Sequence, residues 1–420
     1  MRDEFPRHLA KELDAADPLA DLRDRFVIAD DDLVYLDGNS LGRLPAATPG
    51  HLDRLVREGW GDGLVRSWPT WIEWGRRIGD RLAAHALGAR VGEVVVSDST
   101  SVNLYKLAAA ALDAAGDRRT VLVDAEDFPT DRYVLEGLAA ARGLTLRMLP
   151  SDLDEGLRFD ELRAALDGDV ALVVLSAVAY RSGALLDMAA VNAAARQAGA
   201  TVLWDLSHAV GAVPIELTAT GADLAVGCTY KYLNGGPGAP AFLYVRRELQ
   251  SRLRQPIQGW FGRRDQFGMG AGYDPAPDLD RFLVGTPSIL ALAPLDPALD
   301  VLAEAGIERV RAKGRRLGEL IVTLADAWLT PYGFRVASPR EPDRRGSHVC
   351  LRHPDALRIS RALAEVGRVV GDYRAPDRLR LGPAPLYTRY VDVWDAMDRL
   401  RDLAERRAWE GVSGGPSRVT

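Results

Sequence analysis

Residues 201–214 read TVLWDLSHAVGAVP and residues 223–245 read DLAVGCTYKYLNGGPGAPAFLYV, and the fold is decided by taking these two stretches together. Each opens on a short apolar run of strand length. The first run stops at an acid, Asp205, and the second is followed by a lysine, Lys231. In open α/β sheets the carboxyl ends of the strands line the crevice where ligands bind. Similar runs recur at 91–97 (VGEVVVS), 120–125 (TVLVDA), 144–149 (LTLRML) and 171–176 (ALVVLS). Helical stretches such as VNLYKLAAAALDAA (102–115) and MAAVNAAARQAG (188–199) separate them. Short, fully apolar strands alternating with helices describe an α/β protein with a mostly parallel sheet covered on both faces.

Past Pro287 the pattern changes to long helices and short strands near GSHVCLR and RLRLGPAP, the mark of a smaller α+β unit. The expected division is an N-terminal arm over 1–45, a large domain over 46–290, a small domain over 291–410 and a tail over 411–420. The tail, GVSGGPSRVT, has loop composition and is expected to fray. A chain of 420 residues can bury cores of both sizes.

A net charge of -6 and a pI near 5.7 exclude a surface that tracks nucleic-acid phosphates, so small molecules are the expected ligands. The N-terminus is charged throughout and no run reaches membrane length, which predicts a soluble cytoplasmic protein without membrane attachment. Two cysteines, Cys228 and Cys350, and six histidines without paired spacing give no disulfide framework and no metal centre. Of 53 basic residues only Lys11, Lys106, Lys231 and Lys313 are lysines. Lys106 falls inside a helical stretch, and Lys11 and Lys313 fall in charged stretches expected to be exposed.

An acid and a lysine at neighbouring strand ends suit pyridoxal phosphate. That cofactor is held by a lysine as a Schiff base and withdraws electrons while its ring nitrogen stays protonated, a task for a buried carboxylate such as Asp205. The bland alternative, a helix-capping acid and a solvated lysine, loses ground because Tyr230, Tyr232, Asn234 and a Gly-Gly-Pro-Gly turn surround Lys231. Thr100 and Ser101 follow a strand and open a helix, where free N–H groups can hold a phosphate; a plain helix cap would look alike. Phe128 is placed to stack on the cofactor ring or to sit in the core, and Asp131 to bond the cofactor or its surroundings.

These residues lie in motifs that resemble the kynureninase family: YLDGNSLGRLP (35–45), DSTSVNLYKLAAAAL (98–112), DFPTDRY (127–133), WDLSHAVGAVP (204–214), CTYKYLNGGPGAPAFLYV (228–245), GWFGRRDQFGM (259–269) and RLRLGPAPLYTR (378–389). The resemblance implies a type-I pyridoxal-phosphate fold and hydrolysis of L-kynurenine, or 3-hydroxy-L-kynurenine, to the anthranilate and L-alanine. It implies that Lys231 carries the cofactor and moves the α-proton, that Asp205 contacts the pyridine nitrogen, and that His208 lies beside the cofactor. It further implies that Phe128 stacks on the ring, that Thr100, Ser101 and Tyr230 surround the phosphate, and that Tyr230 assists water at the γ-carbonyl. Trp260 and Thr286 would reach the phosphate from a neighbouring subunit, giving a homodimer with shared sites. Arg380 would pair with the substrate carboxylate, where a planar fork fixes orientation.

Asn39 and Ser40 either reach the substrate or make a turn. Trp60, Trp68, Trp71 and Trp74 either wall the aromatic pocket, with Trp68 the first candidate, or simply pack the arm. Arg263, Ala177, Ala179 and Thr286 depart from residues common in the family and bear on substrate choice. Two competing readings stay open: another pyridoxal reaction, such as desulfuration or transamination, and a non-catalytic pyridoxal-binding protein.

Overall fold

In the computed structural model, which describes residues 5–412 and Gly415, the six apolar runs named above and a seventh, PAFLYV at 240–245, form one seven-stranded sheet. Its strands are β1 Val94–Val96, β2 Thr120–Asp124, β3 Thr145–Leu149, β4 Val170–Ser176, β5 Thr201–Asp205, β6 Leu224–Gly227 and β7 Phe242–Val245. They lie in the order β1-β7-β6-β5-β4-β2-β3, and only β7 pairs antiparallel with its neighbours. Successive side chains of a strand point to opposite faces. Val121, Val123, Leu172 and Val174 accordingly join one core, while Leu122, Val173 and Leu175 join another.

Among the helices of the described residues are α1 Arg7–Ala15, α2 Thr100–Ala114, α3 Pro129–Arg142, α4 Met188–Ala198, α5 Leu295–Ala305, α6 Ile307–Leu324, α7 Ala356–Glu365 and α8 Tyr390–Arg406. Helices α2 and α3 cover one face of the sheet and α4 covers the other. The starts are capped as the sequence invites: Ser99 accepts from the Val102 N–H at 3.3 Å, and Asp187 from that of Ala190 at 3.0 Å. Helix α4 ends at Gly199, whose φ of +74° is a left-handed C-cap suited to glycine.

The small domain is a four-stranded antiparallel sheet of β8 Arg335–Val336, β9 Val349–Arg352, β10 Asp372–Arg374 and β11 Arg378–Leu381, in the order β8-β9-β11-β10. Its core joins residues of α6, α7 and α8 to Ala10, Val34 and Leu36 of the arm. Val34 and Tyr35 also pair in parallel with Val369 and Val370. The arm therefore bridges the two domains, since its Leu19, Leu22 and Phe26 pack in the large-domain core.

Two expectations need correction. The boundary at 290/291 is too early: Leu292, Leu295, Leu299, Leu302 and Val310 pack into the large-domain core, because α5 turns its apolar side back onto that domain. The expectation for 411–420 lies mostly outside the described residues. Lys313 is not exposed; its side chain keeps 5% exposure and its Nζ lies 2.6 Å from Asp17, itself 3% exposed. A helix-borne cation meets an arm carboxylate almost 300 positions earlier in the chain, a partner that local charge density cannot reveal. Among the described residues no helix is long and apolar enough to cross a membrane.

Removing one member of a buried ion pair strands the other charge. Asp17→Ala is expected to lower the unfolding free energy by about 3 kcal/mol, measured by chemical denaturation. The double substitution Asp17→Leu with Lys313→Met should lose distinctly less.

Candidate active site

The turn that carries Lys231 is built by the residues around it. After β6, the Gly235 N–H donates to the Thr229 carbonyl at 2.9 Å, the Asn234 N–H to that of Lys231 at 2.9 Å, and the Thr229 hydroxyl to Pro240 O at 2.7 Å. The arm motif closes over this turn: the Gly42 N–H donates to Tyr230 O at 2.8 Å, and a Cβ at residue 42 would overlap Lys231 O and the Asn234 side chain. Two motifs nearly 190 residues apart thus hold one lysine.

Lys231 borders a cavity of about 750 Å³ at the carboxyl ends of the strands. Its Nζ lies 3.1 Å from His208 Nε2 and about 6 Å from the ring centres of Phe128 and Tyr230. Burial pushes the Lys231 amine down, which suits a nucleophile that has to be neutral. Burial, and after it the positive charges of Lys231 and Arg380, pushes the His208 ring well down, so it stays neutral and can accept a hydrogen bond from the amine.

Asp205 ends β5 with 5% exposure and accepts the Ser207 N–H at 2.8 Å. Asp131, 2% exposed, lies against it. Burial first and the Asp205 charge second push the Asp131 carboxyl well up, and its Oδ2 has no hydrogen-bond partner. Asp127 is pushed up to about 7 by burial and then by Asp124, and it accepts from the Ser176 N–H and hydroxyl. Two of the buried acids are thus biased toward the neutral form beside Asp205.

Thr100 and Ser101 occupy the first turn of α2 and border the cavity, so the free N–H groups there face it. Phe128, at the start of α3, borders the cavity and meets Tyr180 edge-on at 5.3 Å. Lys106 is fully buried; its Nζ binds Asp98 at 2.7 Å and Phe282 O at 2.8 Å, fastening the start of α2 to the segment that continues to Thr286. A primary amine, a strand-end carboxylate, an unpartnered acid oxygen and a helix N-terminus around one cavity fit pyridoxal phosphate.

Thr286 lies on the cavity wall of its own chain, whereas Trp260 is 39% exposed, stands outside that wall and packs on Phe261 and Phe267. Trp68 does not border the Lys231 cavity. With Trp60 and Trp71 it lines an adjoining apolar groove of about 410 Å³ that shares Pro287 and Ser288 with the cavity wall. Trp74 is buried and donates to Asp296 at 2.8 Å. Arg263 sits in an exposed loop, donating to Asp265 O at 2.7 Å. Ala177 is 1% exposed, and neither it nor Ala179 borders the cavity.

Arg380, Asn39 and Ser40 do converge, behind His208. The guanidinium is fully buried, with Nη1 2.6 Å from Tyr180 O and 3.5 Å from His208 Nε2. Asp372 takes its Nε at 2.8 Å and also its Nη2, and Ser40 Oγ accepts at 3.0 Å. In the orientation that satisfies both ends of its amide, Asn39 accepts from Nε at 2.7 Å and Nη2 at 2.8 Å. Sequence reasoning missed Asp127, Asp372 and Arg374; the flanking DFPTD and RLRLG motifs pointed near them, but their partners come from other elements.

A family model described as the kynureninase C-terminal domain matches residues 310–400. The kynureninase of Pseudomonas fluorescens is 42% identical to the chain over 405 residues, covering 94% of this chain and 95% of that protein. The chain belongs to the kynureninase family. The Burkholderia pseudomallei kynureninase matches equally, 42% over 413 residues with 96% of each chain covered. Kynureninases are pyridoxal-phosphate-dependent hydrolases that cleave a carbon–carbon bond of kynurenine. Among solved structures, the apo cysteine desulfurase of Thermococcus onnurineus NA1 superposes with a TM-score of 0.81 at 17% identity, covering 92% of this chain and 98% of that one. The Escherichia coli cysteine desulfurase CsdA follows at 0.76 and 20%, covering 94% and 99%. That likeness shows the type-I fold. It does not bring desulfurase chemistry, since both cysteines of this kynureninase-family chain are buried and burial pushes their thiols up.

The depressed Lys231 amine has a consequence for stability. Below the ordinary lysine value of 10.5 the unfolded chain binds a proton that the folded chain resists, so the site destabilises the cofactor-free protein at neutral pH. Cofactor-free Lys231→Met should melt at a higher temperature than wild type at pH 7. Calorimetry across pH should show the gap narrowing as 10.5 is approached.

Proposed function

We propose that this chain hydrolyses L-kynurenine to anthranilate and L-alanine at the cavity around Lys231, with its 3-hydroxy derivative as an alternative substrate. The observation that carries the reading is a depressed lysine amine 3.1 Å from a neutral His208, bordering the same cavity as a strand-end carboxylate, in a chain 42% identical to kynureninases. Pyridoxal phosphate, when bound, supplies an electron sink for charge developing at the substrate α-carbon.

The chain's own residues supply the rest. Lys231 anchors the cofactor, and its released amine moves the α-proton. Asp205 would hold the proton on the ring nitrogen, with Asp131 and His208 beside it, and Phe128 would stack on the ring. Thr100, Ser101 and Tyr230 hold the phosphate. Burial raises the Tyr230 hydroxyl, so it stays protonated and can pass its proton to the γ-carbonyl as water adds. Arg380, with Asn39 and Ser40, orients the substrate carboxylate.

A homodimer with shared sites, in the cytoplasm, belongs to the same reading. Trp260 would reach the neighbour's phosphate, with Thr286 at the shared wall. Supporting this, Trp260 at 39%, Phe267 at 62% and Met269 at 72% exposure form an apolar rim that a second copy would cover.

The loaded protein, incubated separately with L-kynurenine and 3-hydroxy-L-kynurenine, should release equal amounts of aryl acid and alanine. Lys231→Ala should abolish release, and Tyr230→Phe should lower kcat by about 100-fold with a smaller effect on KM. Sulfide from L-cysteine would favour desulfuration instead, and bound cofactor without any product would favour a non-catalytic protein.

A further inference from the structure

Strands β10 and β11 set Asp372 opposite Arg380, and Arg374 opposite Arg378. Residues two apart on a strand share a face, so one carboxylate and three guanidiniums lie side by side. Arg378 is paired with Asp154 and Asp377. Asp372, fully buried, serves both other arginines: it grips the Arg380 fork, lies 2.8 Å from Arg374 Nη2 and accepts the Ser40 hydroxyl at 3.0 Å.

The donor count on Arg380 is nearly exhausted. Its Nε and both Nη2 hydrogens go to Asp372, Ser40 and Asn39, and one Nη1 hydrogen goes to Tyr180 O. A guanidinium has five N–H donors, which leaves one Nη1–H, on the His208 side. A two-pronged grip on a substrate carboxylate by Arg380 alone would require it to abandon Asp372.

Arg374 has what Arg380 lacks. Its side chain is 18% exposed and its Nε is buried without a hydrogen-bond partner. Its charge reaches the reacting centre, adding to the downward push on both Lys231 and His208. The remaining acid nearby, Asp37, is pushed up to about 7 by burial and then by Asp372, against the pull of Ser40, Arg380 and Arg374. With Asp37 protonated, the group of Asp372, Arg374 and Arg380 carries one net positive charge.

We propose that Arg374 is a substrate-binding residue, its unpartnered Nε–H joining the Nη1–H of Arg380 that now makes only the long 3.5 Å contact with His208 to receive the α-carboxylate, and that Asp372 is the positioning residue holding the two guanidiniums together. The inference rests on the reading of an amino-acid substrate bound at Lys231.

Hydrolysis of L-kynurenine is compared with that of its α-carboxamide by wild type, Arg374→Ala, Arg374→Gln, Arg374→Lys and Arg380→Ala. The preference for acid over amide, as a ratio of kcat/KM, should fall by about tenfold or more in Arg374→Ala and Arg374→Gln, through KM rather than kcat. Arg374→Lys should recover part of it. L-Alanine, titrated against the bound-cofactor absorbance, should bind more weakly to the same variants. Equal penalties on acid and amide, or none, overturn the proposal and leave Arg374 as a structural partner of Asp372. Should Arg374→Ala fail to fold, Arg374→Gln and Arg374→Lys, which keep a long polar side chain, decide it. An unchanged preference in Arg380→Ala would instead overturn the reading of Arg380, and absence of hydrolysis by wild type that of the function.

Discussion

The register of β5 against its neighbours is the constraint on which the site depends. Asp205 stands beside Ser176 on one side and Val226 on the other, so all three strands end at one edge. Because side chains alternate along a strand, a slip of one residue would turn Trp204 to the position of Asp205 and send the acid to the opposite face. Trp204 opposes such a slip: its ring is fully buried and its indole N–H donates to Asn192 at 2.9 Å. Lys231 is then placed by a turn of fixed length after β6, and Gly42 of the arm presses on that turn.

A cavity edge so organised collects charge of both signs, and burial sorts it. On the sheet side Asp124, Asp127, Asp131 and Asp205 crowd together; burial pushes the first two up to about 6 and about 7 and the third well up. Like charges at close range cannot all ionise, so the repulsion is relieved by protons on the outer acids. On the small-domain side the excess is positive, with Arg374 and Arg380 around Asp372. A zwitterionic amino acid arriving at a ring-bearing cofactor would meet a proton-rich acid group at one end and an anion-receptive group at the other.

How much of this was legible beforehand follows from the range of each interaction. Strands such as TVLWD and ALVVLS are local patterns, and all seven runs became strands at the expected places. Lys231, Asp205, Thr100, Ser101 and Phe128 were legible because strand ends and helix starts of an α/β sheet share one edge, and His208 only through the family resemblance; all six border one cavity. The burial of Lys313 was not legible, since its partner Asp17 sits on a different element. Which groove the tryptophans line was not legible: Trp60, Trp68 and Trp71 line the one beside Pro287 and Ser288, while Trp74 is buried, and spacing along the chain does not distinguish the two. Asp372 and Arg374 carried no signal of their own; their meaning comes from standing across from Arg380 and Arg378 in an antiparallel pair.

The junction between the domains explains why an arginine from the small sheet can matter to a lysine on the large one. Arg380 donates to Tyr180 O, Arg181 donates to Ala375 O at 2.8 Å, and Ala184 bridges Arg345. Arg378 reaches across to Asp154. The 177–185 segment is therefore clamped between the sheets, with Gly183 close against His348, where a Cβ would meet the His348 carbonyl at 2.8 Å. Ala177 and Ala179, which do not touch the cavity, lie in this clamp, and Ala177 is held by the Asp205 carbonyl at 2.9 Å. Ala179 likewise donates its N–H to the Ala184 carbonyl at 2.8 Å inside the clamp. The position of Arg374 and Arg380 relative to Lys231 is set by the seating of one domain against the other, because Arg380 and Arg378 are themselves among the contacts that make the clamp.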